Sequence, residues 1–244
     1  MKQFILSTVI LAGLLCGRSL TIQSQTLRIG ENDSKTYYAP VYATWADKYY
    51  CSQILYLESE LSSMTNKEIT NLAFFLRKLN SSDYEHVQIR LKKVDFDAFA
   101  STDYQSVEDA VLVYEGSLPS STTTELEVAL SNTFVYEGGN LLVDVRKTEA
   151  GGGYAPSSGD AGRFQSTFHE GQSLVLYNYG KESFPDKATG TSGNRPDIQF
   201  TFKDASQGVE DVQSSSMRYQ KRIENGVLVI EKGGVRYNAI GTKL

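Results

Sequence analysis

The residues of this chain best suited to recognise a ligand form a dense aromatic run near its start. Asp47 lies inside this run, whose rings are Tyr37, Tyr38, Tyr42, Trp45, Tyr49 and Tyr50. A sugar ring has an apolar C–H face and a rim of hydroxyls, so a flat aromatic ring beside a carboxylate matches both. Positions two apart in a strand share a face, so Trp45 and Asp47 are predicted to contact one sugar together. We therefore expect a glycan site at Trp45, Asp47, Tyr38 and Tyr49.

The competing interpretation places the same rings in the core of the protein. Trp45 is the only Trp of the chain, and burying its large apolar surface would stabilise the fold. Neighbouring residues of a strand point to opposite faces, so one of Tyr49 and Tyr50 is expected to point outward. At the level of sequence both interpretations of Trp45 stay open.

Carboxylates are the second group with chemical potential. Asp95, Asp97 and Asp103 lie close together in an acidic connection that also carries Glu108 and Asp109. Such oxygen ligands suit Ca²⁺, which takes about six to eight of them. A solvated acidic loop explains the same residues without a metal. Calcium, bound by Asp95, Asp97 and Asp103, is the one cofactor that we consider.

Catalytic signatures are missing from the sequence. The chain has two histidines, His86 and His169, and no Gly-x-Ser-x-Gly motif surrounds a serine. No Cys/His cluster has zinc spacing. We therefore predict that the protein is not an enzyme, with a glycoside hydrolase built on a carboxylate pair as a further alternative.

The elements that would position these residues are short strands. Residues 133–145, TFVYEGGNLLVDV, predict two strands joined by a turn at Gly138-Gly139. Residues 141–145 are apolar at nearly every position, which is typical of a strand covered on both faces. We therefore expect residues 134–136 and 141–145 to form a central pair, preceded by a separate half-exposed strand at 126–130.

About ten such strands, with turn signals between them and no long helical period, predict an all-β chain with a β-sandwich fold. Pattern alone does not decide whether the connections make a jelly roll. We place the sandwich at residues 25–203, a polar linker at 204–218 and a C-terminal tail at 219–244. In the tail, Lys232-Gly233-Gly234 separates two strand-like runs and predicts a β-hairpin.

The first 24 residues have the features of a signal peptide. Lys2 gives the positive start, and residues 4–15 form an apolar run that is too short for a membrane-spanning helix, which needs about 20 residues. Lipidation at Cys16 is the alternative. We expect a secreted or outer-surface protein without a transmembrane span in its mature chain. The net charge of −5 disfavours nucleic acid and anionic lipid surfaces as partners.

Several segments also resemble known proteins. In order, they are TYYAPVYATWADKYYCSQILYLESEL, EITNLAFFLRK, AVLVYEGSL and FVYEGGNLLVDV. Together they resemble a repeated β-domain of secreted and surface proteins of Bacteroidetes-type bacteria. The tail RIENGVLVIEKGGVRYNAIGTKL resembles C-terminal tails from the same bacteria, including type IX secretion sorting signals, and is shorter than a full sorting domain.

The resemblance implies a surface-exported protein and supplies no catalytic residue. Together with the aromatic run, it leads us to expect a non-catalytic binding or adhesion module whose ligand is a glycan or a host or matrix protein. The alternative is a structural or assembly module of a surface complex, which would use its strand edges to join other proteins.

Overall fold

The structure is a computed structural model that describes residues 24–42, 49–149, 160–180, 182–205, 220–224, 227–232 and 235–238. The chain divides into two compact units, Met1–Asp204 and Ala205–Leu244. The signal peptide expected at residues 1–24 lies outside the described residues except for Ser24.

The regular elements described in the first unit are nearly all strands. Its elements in chain order are β1 (Gln25–Ile29), β2 (Ser34–Thr36), β3 (Tyr49–Tyr56), α1 (Glu58–Leu61), a 3₁₀ helix (Ser62–Met64), β4 (Lys67–Phe75), β5 (Tyr84–Val94), β6 (Val111–Leu118), β7 (Glu125–Tyr136), β8 (Asn140–Lys147), β9 (Phe164–Phe168), β10 (Val175–Gly180), β11 (Gly190–Ser192), β12 (Asn194–Pro196) and β13 (Ile198–Asp204).

The described strands of this unit form three sheets. A four-stranded sheet has the order β1-β13-β4-β7, a six-stranded sheet has the order β11-β10-β3-β8-β5-β6, and a small sheet has the order β12-β9-β2. The main cluster of buried side chains combines residues from the two large sheets, for example Phe200 and Leu72 from one and Ile54 and Val143 from the other. The predicted all-β, sandwich-like fold is therefore confirmed.

Strand β8 shows why its sequence is apolar at nearly every position. Leu141, Val143 and Val145 belong to the main core between the sheets. Leu142 points the other way, into a second apolar cluster with Leu174 and other residues. Alternate side chains of a strand face opposite sides, and both sides of β8 are covered. The prediction of a central strand here is confirmed, since β8 lies between β3 and β5.

Two predictions about neighbouring strands were wrong. The stretches 126–130 and 133–136 form one strand, β7, interrupted by a register shift against β4. The predicted central pair is also not a pair, because β7 hydrogen-bonds to β4 while β8 pairs with β3 and β5. Gly138 and Gly139 have φ angles of 98° and 87°, and this turn carries the chain from one large sheet to the other.

The second unit contains a three-stranded antiparallel sheet. Its strands are β14 (Gln220–Glu224), β15 (Val227–Lys232) and β16 (Val235–Asn238), in that order. The β15–β16 pair is the predicted hairpin, and β14 adds a strand to it. Residues 206–218 of the predicted linker lie outside the described residues. Among the residues with described structure, no helix is long and apolar enough to cross a bilayer.

Candidate functional site

A cleft opens at the side of the sandwich where β5, β6 and β7 approach one another. Its volume is about 290 Å³, close to the lower end of small-molecule sites, which measure roughly 300–1,000 Å³. The residues that line it are Leu91, Lys92, Lys93, Asp109, Val111, Thr133, Phe134, Val135, Tyr136 and Glu137. Half of these ten residues are apolar or aromatic and half are polar or charged, which is a more polar lining than that of most small-molecule sites.

A wide bulge in β7 shapes the cleft. Ile69 of β4 pairs with Phe134, and Asn71 pairs with Ala129, so residues 130–133 of β7 stand opposite Thr70 alone. Bulges bend a strand and redirect its side chains. β7 is the edge strand of the four-stranded sheet, so the bulge lies at the rim of that sheet, where Thr133 lines the cleft.

Side chains of the bulge hold it against the next strand. Ser131 Oγ donates to the carbonyl of Val113 at 3.0 Å, and Asn132 Nδ2 donates to the carbonyl of Leu112 at 2.7 Å. Both carbonyls belong to β6, the edge strand of the six-stranded sheet. The bulge therefore ties the two sheet edges together beside the cleft.

The floor of the cleft is apolar and reaches the main core. Leu91 and Tyr136 are 0% and 1% exposed, and the half-buried Val111 and Phe134 pack against the same core. Val135 lines the cleft as well and is 39% exposed. Phe134 is thus an aromatic ring that is anchored by the core and accessible from the cleft.

Charges of both signs stand on the rim. Lys92 Nζ lies 2.6 Å from Asp109 Oδ1 and also donates to the carbonyl of Ser106 at 2.9 Å. The hydrogen bond from Lys92 holds the pKa of Asp109 below its usual range, so Asp109 is an ionised acceptor at neutral pH. Lys93 and Glu137 are exposed and complete the rim.

The turn after β7 positions Tyr136 and Lys93 of the cleft. The Gly139 N–H donates to Glu58 Oε1 at 2.9 Å, and the hydroxyl of Tyr136 donates to the Gly139 carbonyl. A Cβ atom on Gly139 would lie 2.7 Å from Lys93 Cε. The glycine therefore leaves room for the aliphatic chain of Lys93 to lie over the turn. Burial, and secondarily the charge of Glu58, raises the pKa of Tyr136 to about 12.

Tyr38, one of the predicted site residues, lies in a stack of tyrosines at a different edge. Its ring is 4.4 Å from that of Tyr177 at an interplanar angle of 12°, and the Tyr42 and Tyr179 rings are 4.1 Å apart at 7°. Ser52 Oγ donates to the Pro40 carbonyl at 2.7 Å. The segment that carries Tyr38 thus packs on β3 and β10, and the Tyr177 ring stacks on one face of the Tyr38 ring.

Tyr49 and Tyr50 point in opposite directions from the start of β3. Tyr50 is 2% exposed and its hydroxyl donates to the Tyr38 carbonyl, whereas Tyr49 is half-buried. Trp45 and Asp47 lie outside the described residues, so the site predicted there stays a prediction. The described part of that run lies beside β3 and β10, whereas the cleft borders β6, at the other end of the six-stranded sheet.

The three aspartates proposed as calcium ligands are exposed. Asp103 lies 2.8 Å from Lys187 Nζ, and hydrogen bonds from Lys187 and Ser101 lower its pKa. Within the described ranges, no three or more His, Cys, Asp or Glu side chains form a group that could hold a metal ion. Calcium binding by Asp95, Asp97 and Asp103 stays a prediction without support from this geometry.

Cys51 is fully buried and lies beside a carboxylate. Its Sγ is 4.0 Å from Asp144 Oδ2, and burial, reinforced by Asp144, raises the pKa of the thiol strongly. The reactive thiolate form is therefore disfavoured. His86 lies 3.3 Å from Glu149 at the start of β5, and His169 follows β9.

Sequence reasoning missed the cleft although one signal for it was present. Ser131, Asn132 and Thr133 form a polar run that interrupts the alternation of β7, and the bulge lies at this run. Nothing in the sequence indicated that Phe134 of β7 and Lys93 of β5 would line one space, because these two strands belong to different sheets.

Comparisons of the chain with protein-family models, with curated proteins and with solved structures found no match. The resemblance to Bacteroidetes-type surface proteins, and that of the tail to sorting signals, therefore stays a prediction.

Proposed function

We propose that the first unit is a non-catalytic glycan-binding module of a secreted or surface-held protein, and that the cleft beside Phe134 holds the sugar. The observation that carries the proposal is the combination of an accessible aromatic ring with ionised rim groups in one concave site. The apolar face of a sugar would lie on Phe134 and Val111. Its hydroxyls would donate to Asp109 and accept from Lys93.

The state of the nucleophilic and basic groups supports binding rather than catalysis. Cys51 is buried as a neutral thiol, and His86 lies beside Glu149 on the surface. A cysteine nucleophile needs a base within hydrogen-bond reach. Neither histidine is hydrogen-bonded to Cys51 in the part of the chain that the structure describes.

The test is a glycan array probed with the purified wild-type protein and with Phe134→Leu. Leucine keeps the apolar volume and removes the flat ring, so we expect binding to weaken by up to about tenfold, the range of an aromatic contact. Phe168→Leu is the matched control, because Phe168 is 57% exposed on β9 and does not line the cleft. Equal affinity of wild type and Phe134→Leu would remove the cleft as the sugar site.

Trp45→Ala tests the site expected from the sequence in the same assay. Lost binding at an unchanged melting temperature would move the sugar site to the aromatic run. A collapsed melting temperature would instead identify Trp45 as a core residue, which is the other interpretation of this side chain.

A structural or assembly module is the second candidate function. It is favoured by Val135, which is exposed on the edge strand β7 beyond the bulge that is bonded to β6. Exposed strand edges are templates for pairing with another chain. Size-exclusion chromatography with light scattering distinguishes the two. A discrete oligomer that Val135→Lys dissociates would favour assembly, and a monomer that binds glycans would favour the first proposal.

A further inference from the structure

A second cavity lies on the other side of the β7 bulge. Its volume is about 250 Å³, and its lining comes from β4, β7 and the end of β13. Thr133 lines this cavity and the cleft beside Phe134 as well. The two spaces are therefore adjacent, and Thr133 lies at their boundary.

The boundary between the cavities is held in place. Residues 130–133 stand opposite Thr70 alone, and Ser131 and Asn132 donate to carbonyls of β6. Thr70 is itself fixed, because its Oγ1 donates to the carbonyl of Thr201 at 3.2 Å. Thr133 is exposed to solvent and lies on a bulge that is hydrogen-bonded to β6, between two cavities of similar volume.

The charges that line the two cavities are balanced. In the second cavity Lys203 Nζ lies 3.1 Å from Glu68 Oε1. In the cleft, Lys92 pairs with Asp109, and Lys93 and Glu137 add one charge of each sign. Neither cavity presents an excess of one sign that would attract a polyanion or a polycation. Both present donors and acceptors, among them the ion-paired Lys92 and Asp109 in the cleft and Lys203 and Glu68 in the second cavity. Such a lining suits a ligand rich in hydroxyl groups.

We infer that the two cavities are adjoining subsites for one neutral oligosaccharide that crosses Thr133. The inference rests on the glycan-binding function proposed above and adds the length and the charge class of the ligand. One sugar unit occupies the cleft beside Phe134. The next units pass over the threonine and hydrogen-bond to Glu68 and Lys203.

The experiment is calorimetric titration of the purified protein with neutral gluco-, manno- and xylo-oligosaccharides, from monosaccharide to hexasaccharide. Affinity is expected to rise by about tenfold between the shortest ligand that binds and the ligand that fills both subsites. Glu68→Ala should abolish this gain and leave the affinity for the shortest ligand unchanged. The control is Glu127→Ala, since Glu127 accepts from Asn71 on the same sheet and lines neither cavity.

The other outcomes separate the inference from the proposed function. Neutral ligands that bind without dependence on length, or an equal loss for short and long ligands in Glu68→Ala, would overturn the second subsite and leave glycan binding intact. Binding of oligogalacturonates but not of neutral ligands would overturn the charge class. If neither set binds, the glycan-binding function itself fails.

Discussion

Asp144 and Arg146 form a two-bond ion pair along a single strand. Arg146 Nε donates to Asp144 Oδ1 at 2.6 Å, and Nη2 donates to Oδ2 at 3.0 Å. Residues two apart in a strand share a face, so the pair lies on the side of β8 that points away from the main core. Asp144 is 1% exposed and also accepts from Gln53 Nε2 at 3.0 Å. The carboxylate therefore depends on protein groups in place of water.

Removal of Arg146 should strongly destabilise the protein. Arg146→Leu leaves the buried Asp144 carboxylate without its counter-ion. Such a loss costs about 3–5 kcal/mol of stability in a fully buried pair. The cost is expected to be smaller here, because the Arg146 side chain reaches solvent. Chemical denaturation monitored by circular dichroism measures the change. Asp144→Leu combined with Arg146→Leu should recover most of the loss. A wild-type midpoint for Arg146→Leu alone would show that the pair is dispensable.

Truncation of Leu141 tests the central strand. Leu141 is 0% exposed in the core between the large sheets, so Leu141→Ala should lower the free energy of unfolding by about 2–5 kcal/mol. Thermal unfolding provides the measurement. Val135→Ala is the control on an edge strand, where the side chain is 39% exposed and a small effect is expected. Equal melting temperatures of Leu141→Ala and Val135→Ala would show that Leu141 is not a core residue.

Asp197 should make stability depend on pH in an unusual direction. The residue is 1% exposed and accepts from Thr167 Oγ1 at 2.9 Å. Burial raises its pKa, although Thr167 and Arg28 oppose the shift. A carboxyl group whose pKa is raised in the folded state stabilises the fold while it is protonated. This contribution is fully present below the pKa of the unfolded state, about 3.9, and is lost as the pH rises through the pKa of the folded state.

Asp197→Asn isolates this contribution. The stability of the variant minus that of the wild type should increase as the pH rises from about 4 towards neutrality, because only the wild type loses a proton there. Urea midpoints at a series of pH values give this difference. The difference between the two proteins is needed because Glu60 changes stability with pH in the opposite direction. Burial would raise the pKa of Glu60, but the hydrogen bond and charge of Arg195 outweigh burial and lower it. A flat difference would contradict a raised pKa for Asp197.

The first unit should fold without the second. The chain divides at Asp204, and β13 ends there, with Asp204 paired to Lys67. A protein ending at residue 204 should unfold in one cooperative thermal transition close to that of the full chain. Loss of cooperativity in the shortened protein would show that the C-terminal sheet is required for the sandwich.

Much of the strand content was accessible from the sequence. The apolar run at residues 141–145 predicted a strand buried on both faces, and residues 126–130 were predicted to form a half-exposed strand, as their alternating burial in β7 shows. These patterns are local, because the side-chain period of two is a property of one extended segment. The candidate ligand site was less accessible. Tyr38 was expected to bind and packs on Tyr177, whereas Phe134 was treated as part of a central strand pair.

By itself, the sequence determined that the chain is built mainly from strands, that residues 141–145 are buried on both faces and that a turn lies at Gly138-Gly139. The tertiary structure decided which strands are neighbours. Strands β7 and β8 are joined by a short turn and still belong to different sheets, because pairing depends on contacts between residues far apart in the chain. The cleft depends on this strand pairing. Lys93, Asp109 and Phe134 line one space only after both sheets have assembled around a common core.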